Sequence, residues 1–115
     1  MKTSHFRGFF GEKEVKEKIV PCMLCDRNQR FYTFGVLPAV WSKMIKTEIL
    51  RDSLCSEDKI TFGEDVACIY NSILECKSFY GIDIPLYYYR QNSQSMTKAY
   101  DARRFERLGV LFAYL

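Results

Sequence analysis

The sequence predicts a mixed α/β chain, or α+β if the chain is a fragment, in which three or four helices flank short strands. Apolar residues recur at helical spacing in 12–20, 65–77 and 101–115. Short extended runs, broken by Pro85, lie between the last two of these segments. A chain of 115 residues makes one domain at most, 1–115, so these elements are expected to share one small core.

The first predicted helix covers 12–20. Its acidic and basic residues are spaced i,i+4 for ion pairing, and Val15 and Ile19 form one apolar edge. Pro21 is expected to end or kink this helix. The preceding residues, 1–11, carry aromatic residues and glycines and are predicted to form a loop.

The middle of the chain contains less regular patterns. Residues 34–40 are apolar and interrupted by glycine and proline, which predicts an irregular, buried approach to Trp41. A short helix is predicted over 47–53, with Thr47 as its N-cap. Ile60 and Phe62 alternate with polar residues, as a brief strand would.

The helix predicted over 65–77 is the best-defined element. Its apolar stripe has the spacing i, i+3, i+4, i+7 and i+8 and consists of Val66, Ile69, Tyr70, Ile73 and Leu74. Glu64 and Asp65 stand at its start, where the helix dipole stabilises negative charge. An ordinary helix cap would present the same pattern, so these two acids also have a purely structural interpretation.

After this helix the sequence predicts a strand over 78–84 and a second extended segment over 86–90. Three consecutive tyrosines, 87–89, alternate faces if extended, so at least one should be buried and one exposed. The last helix, 101–115, is expected to line one face with Phe105, Leu108, Leu111, Phe112 and Leu115. That face runs to the end of the sequence, which indicates truncation or a partner surface, and two copies would bury it together.

Composition excludes several classes of function. The 17 basic residues are scattered among 14 acidic ones, and the net charge is +3, so no nucleic-acid binding is expected. No apolar run approaches the ~20 residues of a membrane helix, and no signal-peptide core is present, so the expected location is cytoplasmic.

Five cysteines, an odd number, predict reduced thiols rather than a disulfide framework. Cys22 and Cys25 have metal or redox spacing, but zinc requires about four ligands and the only histidine is His5. Packing is therefore the favoured role of this pair, and also of Cys68 and Cys76. Met23, Met44 and Met96 are likewise interpreted as packing residues.

Three short motifs give the chain a resemblance to a known family. They are Pro38-Ala39-Val40-Trp41-Ser42-Lys43, Ile60-Thr61-Phe62-Gly63-Glu64-Asp65 and Pro85-Leu86-Tyr87-Tyr88-Tyr89-Arg90, followed by Ser93, Ser95, Met96 and Thr97. In this order they resemble the C-terminal half of bacterial family-2 glycosyltransferases, which build lipopolysaccharide and capsular polysaccharide. The resemblance covers about residues 36–100 and is carried by the combination, since each motif alone is weak.

This resemblance implies the C-terminal part of a GT-A fold and an inverting sugar transfer. Asp65 matches the catalytic base, with Glu64 beside it. The implied partners are a nucleotide-sugar donor and a glycan acceptor, in the cytoplasm or peripherally on the inner face of the membrane. The complete enzyme is expected to use Mg²⁺ or Mn²⁺, and this chain alone to bind neither, because it contains no Asp-x-Asp triplet and nothing like the nucleotide-binding strand.

The other candidate substrate-binding residues each have a structural alternative. Trp41 is either a platform for a sugar ring or a core residue. Lys43 either contacts a phosphate or the acid pair, or is a surface lysine. The candidates Tyr89, Arg90 and Ser95 lie near the end of the third motif, and Arg90 either approaches the donor diphosphate or pairs with a nearby acid.

Two functional hypotheses follow. The first is a glycosyltransferase fragment that supplies the acceptor side and the base Asp65, and that is inactive without its donor-binding half. The second is a non-catalytic remnant that forms a small interaction domain, including a homodimer through the helix 101–115.

Overall fold

The computed structural model describes residues 6–26, 33–54, 63–95 and 102–114, and within them the chain is an α+β protein. A two-stranded antiparallel sheet and a set of helices surround one main core. The elements in chain order are β1 (Gly8–Gly11), α1 (Glu12–Glu14), a π-helical turn (Val15–Ile19), 3₁₀ turns (Val20–Cys22 and Val40–Ser42), α2 (Thr47–Ser53), α3 (Glu64–Glu75), β2 (Ser78–Gly81) and α4 (Arg104–Tyr114).

The predicted first helix is confirmed as a continuous helical stretch from α1 to Cys22. Lys16 lies 3.0 Å from Glu12 and Lys18 lies 3.4 Å from Glu14, which are the predicted i,i+4 pairs. On the opposite side, Val15 and Ile19 are buried in the core. The last turn contains Pro21, where the sequence predicts the end of the helix.

The prediction of a loop over 1–11 is wrong for the residues that form strand β1. This strand pairs antiparallel with β2, so that Gly8 faces Gly81 and Gly11 faces Ser78. Phe10 and Phe79 point inward and contact each other and Phe6 edge to face, at centroid distances of 5.8 to 6.4 Å. The predicted strand 78–84 is shorter than expected, because β2 ends at Gly81, opposite the start of β1.

Helix α3 supplies the centre of the core. The buried cluster consists of Val15, Ile19, Met23, Val36, Ile69, Tyr70 and Ile73. The Tyr70 hydroxyl donates a hydrogen bond of 3.1 Å to the Val36 carbonyl, and burial raises the pKa of Tyr70 to about 12. Leu74 is 52% exposed, so the buried stripe ends at Ile73 and the prediction for Leu74 is wrong.

A backbone contact brings Val36 to this core. The amide of Val36 donates to the Met23 carbonyl at 3.0 Å, and the amide of Asp26 donates to the Thr33 carbonyl at 2.9 Å. Gly35 lies against the helix end so closely that a Cβ there would stand 1.9 Å from the Cys22 carbonyl oxygen. Glycine is therefore required at this position.

Helix α2 packs on α3 and confirms the helix predicted over 47–53, although the residue preceding its first turn is Lys46 rather than Thr47. The strand predicted from Ile60 and Phe62 lies outside the described residues, as do Cys55, Met96 and Thr97.

The apolar face that the sequence predicts for the last helix is partly buried and partly exposed on α4. Leu111 is 3% exposed and packs with Ala67, and Val66 and Leu108 extend this small cluster. Phe105 and Phe112 remain 86% and 70% exposed. Leu108 and Leu111 of the predicted face are thus covered by α3 of the same chain, and Leu115 lies outside the described residues. Within the described ranges, every helix is too short or too polar to cross a bilayer.

Candidate functional site

The acid pair lies in the first turn of α3, as the sequence predicts. The helix begins after Gly63, which has φ +80° and ψ 19° in the left-handed region. The amide of Val66 donates to the Gly63 carbonyl at 3.0 Å and closes the first turn. A Cβ on Gly63 would stand 2.5 Å from a methyl of Leu111, so glycine permits both the backbone turn and the approach of α4.

A cavity of about 240 Å³ opens beside this turn. Its lining combines two carboxylates with an apolar wall and a thiol: Glu64, Asp65, Val40, Leu50, Leu54 and Cys68. Glu64 is exposed and Asp65 is half-buried. The sequence interpretation missed Leu50, Leu54 and Cys68 as site residues, although the i,i+3 spacing of Asp65 and Cys68 places both on one helix face.

The turn 37–43 forms one flank of the cavity. It contains the 3₁₀ turn Val40–Ser42, and the Ser42 hydroxyl donates to the Ala39 carbonyl at 2.8 Å. The Lys43 ammonium folds back over the turn. It donates to the Leu37 carbonyl, to the Ala39 carbonyl at 3.3 Å and to the Ser42 hydroxyl at 2.8 Å. Lys43 is therefore half-buried and bonded to its own turn.

Lys43 is also electrostatically linked to the acid pair. Burial lowers the pKa of Lys43 to about 8, and the Asp65 carboxylate partly opposes this shift. The motifs that carry these two residues also share the cavity, which Val40 and Asp65 both line.

Trp41 forms a surface cluster with two tyrosines and is no part of the main core. It is half-buried, and its ring lies 4.9 Å from Tyr87 at an interplanar angle of 27° and 5.3 Å from Tyr89 at 42°. Tyr88 is 98% exposed. The tyrosines alternate as predicted, but the expectation that one is buried is wrong, since Tyr87 and Tyr89 are also more than half exposed.

The remaining predicted site residues, Arg90 and Ser95, do not line the cavity in the described part of the chain. Arg90 is exposed. Ser95 is half-buried in a turn, where its amide donates to the Asn92 carbonyl at 3.3 Å. The side chain of Asn92 accepts a hydrogen bond of 3.0 Å from the Gln94 amide in the same turn.

The burial of the cysteine and methionine side chains confirms their predicted packing role in part. Cys22, Cys25, Cys68 and Cys76 are free thiols. Cys68 and Met23 are buried, Cys22 and Cys76 are half-buried, and Cys25 is exposed. Met44 is fully exposed, contrary to the packing prediction. Among the described residues, no group of three His, Cys, Asp or Glu side chains is arranged to hold a metal ion.

Fold and geometry together define an α+β chain with an acidic, partly apolar cavity at a helix start. Comparison of the chain with models of protein families, with curated proteins and with solved structures gives no match.

Proposed function

We propose that this chain forms the acceptor side of an inverting glycosyltransferase, with Asp65 as the general base. One observation carries the proposal. The Asp65 carboxylate lines a cavity whose flank is the turn with Trp41 and Lys43, and that turn is stacked against Tyr87 and Tyr89. Val40 of the first motif thus shares a cavity with Asp65, and Trp41 of the same turn contacts the tyrosines of the third motif.

The chemistry requires a carboxylate in this position. A sugar hydroxyl is a weak nucleophile until a positioned base accepts its proton. In the proposed step the Asp65 carboxylate takes the hydroxyl proton while the hydroxyl oxygen bonds to the anomeric carbon of the donor. The bond from that carbon to the nucleoside diphosphate breaks, the diphosphate keeps the electron pair, and the configuration inverts.

The cavity suits a single sugar ring. Its volume of about 240 Å³ is below the ~300–1,000 Å³ of drug-sized ligand pockets. The apolar wall of Val40, Leu50 and Leu54 matches the C–H face of a pyranose, and the exposed Glu64 is free to accept a hydrogen bond from another hydroxyl. In this proposal Glu64 orients the acceptor and Asp65 performs the proton transfer.

The donor is assigned to a second half of the enzyme. The sequence contains no Asp-x-Asp triplet, and the acid pair has no third metal ligand beside it among the described residues. In this proposal the metal and the diphosphate belong to the donor half, and the residues of this chain supply acceptor binding and the proton transfer at Asp65. Arg90 is retained as a candidate contact to the donor diphosphate in the complete enzyme.

Acceptor binding tests the proposal directly. Trp41 is the only tryptophan, so its fluorescence reports on the site alone. The chain is titrated with methyl glycosides of glucose, galactose, mannose, rhamnose and N-acetylglucosamine. We expect a saturable change with at least one of them, and a weaker affinity in Asp65→Asn because a hydrogen-bond acceptor is lost.

Glu75→Gln is the matched control, since Glu75 is an exposed acid at the other end of α3. Equal affinity of both variants would contradict a role of Asp65 in acceptor binding.

Calorimetry with a nucleoside diphosphate and Mn²⁺ tests the assignment of the donor, and we expect no heat of binding. Micromolar affinity would refute the claim that the donor half is separate.

A second candidate function, a homodimer, is favoured by one observation on α4. Phe105 and Phe112 are spaced i,i+7, which places them on one face, and both are largely exposed. Sedimentation velocity at high concentration is expected to show a dimer that Phe105→Ser with Phe112→Ser dissociates. Tyr88→Ser is the control for an exposed aromatic residue elsewhere, and a strict monomer would exclude this function.

A further inference from the structure

We propose that Cys22 and Cys25 form a redox-active dithiol, which a low-molecular-weight disulfide oxidises to an internal disulfide and which an excess of small thiol reduces again. Both are free thiols. Packing does not account for the pair, since Cys25 is exposed and Cys22 is only half-buried. The role is independent of the proposed function, because the described lining of the cavity contains neither residue.

The backbone places the two thiols at the ends of one bend. The 3₁₀ turn ends at Cys22, Met23 keeps helical angles of φ −63° and ψ −37°, and the chain bends at Met23 and Leu24. A tight four-residue turn brings its end Cα atoms within ~7 Å of each other. A disulfide spans Cα distances of ~4.4–6.8 Å, so residues at i and i+3 of such a bend are within its reach.

Backbone hydrogen bonds hold this bend against a later part of the chain. The Met23 carbonyl accepts a hydrogen bond of 3.0 Å from the Val36 amide, and the Asp26 amide donates to the Thr33 carbonyl at 2.9 Å. Val36 is itself buried in the main core. No cysteine side chain takes part in these bonds, so a disulfide forms without replacing them, and the bend is preorganised for ring closure.

The surroundings of the pair favour redox chemistry over metal binding. A structural zinc site requires about four ligands, and among the described residues no third His, Cys, Asp or Glu is arranged with these two thiols to hold a metal ion. Two ligands alone do not make such a site. A vicinal pair of thiols does suffice for an internal disulfide.

Exposure assigns the order of the two chemical steps. The thiolate of the exposed Cys25 attacks one sulfur of the small disulfide, forms a mixed disulfide and releases one small thiolate. The thiolate of the half-buried Cys22 then attacks the Cys25 sulfur, which forms the internal disulfide and releases the second small thiolate. The protein thus loses two electrons and two protons, and the small disulfide gains them to become two thiols.

The test is equilibration of the folded chain with oxidised and reduced glutathione, followed by alkylation with iodoacetamide and mass spectrometry of tryptic peptides. Cleavage after Lys18 and Arg27 releases the peptide 19–27, which contains Cys22 and Cys25 and no other cysteine. In excess oxidised glutathione we expect this peptide to lose two hydrogen atoms and to carry no alkyl group. It should exceed its glutathione adduct by at least about tenfold, because ring closure is intramolecular. Excess reduced glutathione should restore the doubly alkylated peptide.

The matched internal control is the pair Cys68 and Cys76, which share the tryptic peptide 60–77. Eight residues of helix separate them by ~12 Å, beyond the reach of a disulfide, so this peptide should show no internal disulfide.

A second control unfolds the chain in urea. At the same glutathione composition the ratio of oxidised to reduced peptide 19–27 should be several-fold lower than in the folded chain, because the bend is no longer held. Equal ratios would overturn the proposal, since the fold would then contribute nothing. A peptide 19–27 that stays doubly alkylated in excess oxidised glutathione would overturn it as well.

Two single variants separate the roles of the thiols. Cys22→Ser keeps the exposed thiol but lacks the second one, so it should accumulate a glutathione adduct at Cys25. Cys25→Ser should form an adduct at Cys22 more slowly, because that thiol is half-buried. A faster adduct in Cys25→Ser than in Cys22→Ser would contradict the assignment of Cys25 as the attacking thiol.

Discussion

The two flanks of the acid pair differ in how they are held. The turn 37–43 is half-buried and internally bonded, with the Ser42 hydroxyl and the Lys43 ammonium both donating to its carbonyls. The segment 84–90 is exposed at every position, and within the described ranges its side-chain contacts are the two tyrosine rings on Trp41. The turn is therefore preorganised, and the ring contacts of the segment 84–90 are made with a single tryptophan.

This difference indicates where specificity and where chemistry reside. A base must be held in a fixed geometry, and Val40 of the bonded turn lines the same cavity as Asp65. An exposed aromatic segment adapts to its occupant at low cost, which suits acceptor recognition.

Gly63→Ala should have the largest effect, because Gly63 sets the position of the acid pair relative to both flanks. A side chain at φ +80° costs about 1–2 kcal/mol, and the clash with Leu111 adds about 1–3 kcal/mol. We expect urea denaturation to show a loss of about 2–5 kcal/mol of stability.

Gly109→Ala is the matched control. Gly109 lies inside α4 with open space around it, so alanine should stabilise the chain by up to about 1 kcal/mol through helix propensity. The clash is isolated by combining Gly63→Ala with Leu111→Ala, and the double variant should lose less stability than the sum of the two single variants. Strict additivity would show that Leu111 does not limit this position.

Trp41→Ala should separate the two flanks. Each aromatic pair contributes about 0.5–1.5 kcal/mol, so the loss of both should cost about 1–3 kcal/mol. The hydrogen bonds of Ser42 and Lys43 do not involve the indole and should persist. Hydrogen–deuterium exchange of the backbone amides, read by mass spectrometry, should then show faster exchange in 84–90 without faster exchange in 37–43.

Trp41→Phe keeps an aromatic ring and is the control for this experiment. It should restore most of the protection of the segment 84–90. Equal acceleration in both flanks after Trp41→Ala would mean that the turn also depends on the stack, and the proposed division would then fail.

Local patterns in the sequence predicted the helices of the site. The start of α3 at the acid pair follows from Gly63 and the apolar stripe, and α2 matches the predicted 47–53. In both cases the residues that carry the signal lie within a few positions of one another along the chain. Helix periodicity is a local property, so it is visible without knowledge of the fold.

Contacts between distant segments were not predictable in the same way. Strand β1 exists because it pairs with β2 about seventy positions later, and its four residues are too short for an alternating pattern. The division of the α4 face depends on the close approach of Leu111 to Gly63. Such pairings depend on which segments meet, and a single sequence does not record this.

The smallest expected effect distinguishes neighbouring tyrosines. Tyr88 is 98% exposed, so Tyr88→Ala should change stability by less than about 0.5 kcal/mol, as surface substitutions usually do. Tyr89→Ala removes one ring contact with Trp41 and should cost about 0.5–1.5 kcal/mol. It should also change the wavelength of the Trp41 emission maximum, whereas Tyr88→Ala should leave the emission spectrum unchanged. The two residues are chemically identical and adjacent, so any difference reports the contact with Trp41 alone. Equal effects of the two variants would mean that the alternation of these side chains does not hold in solution, and that the exposed flank lacks a defined attachment.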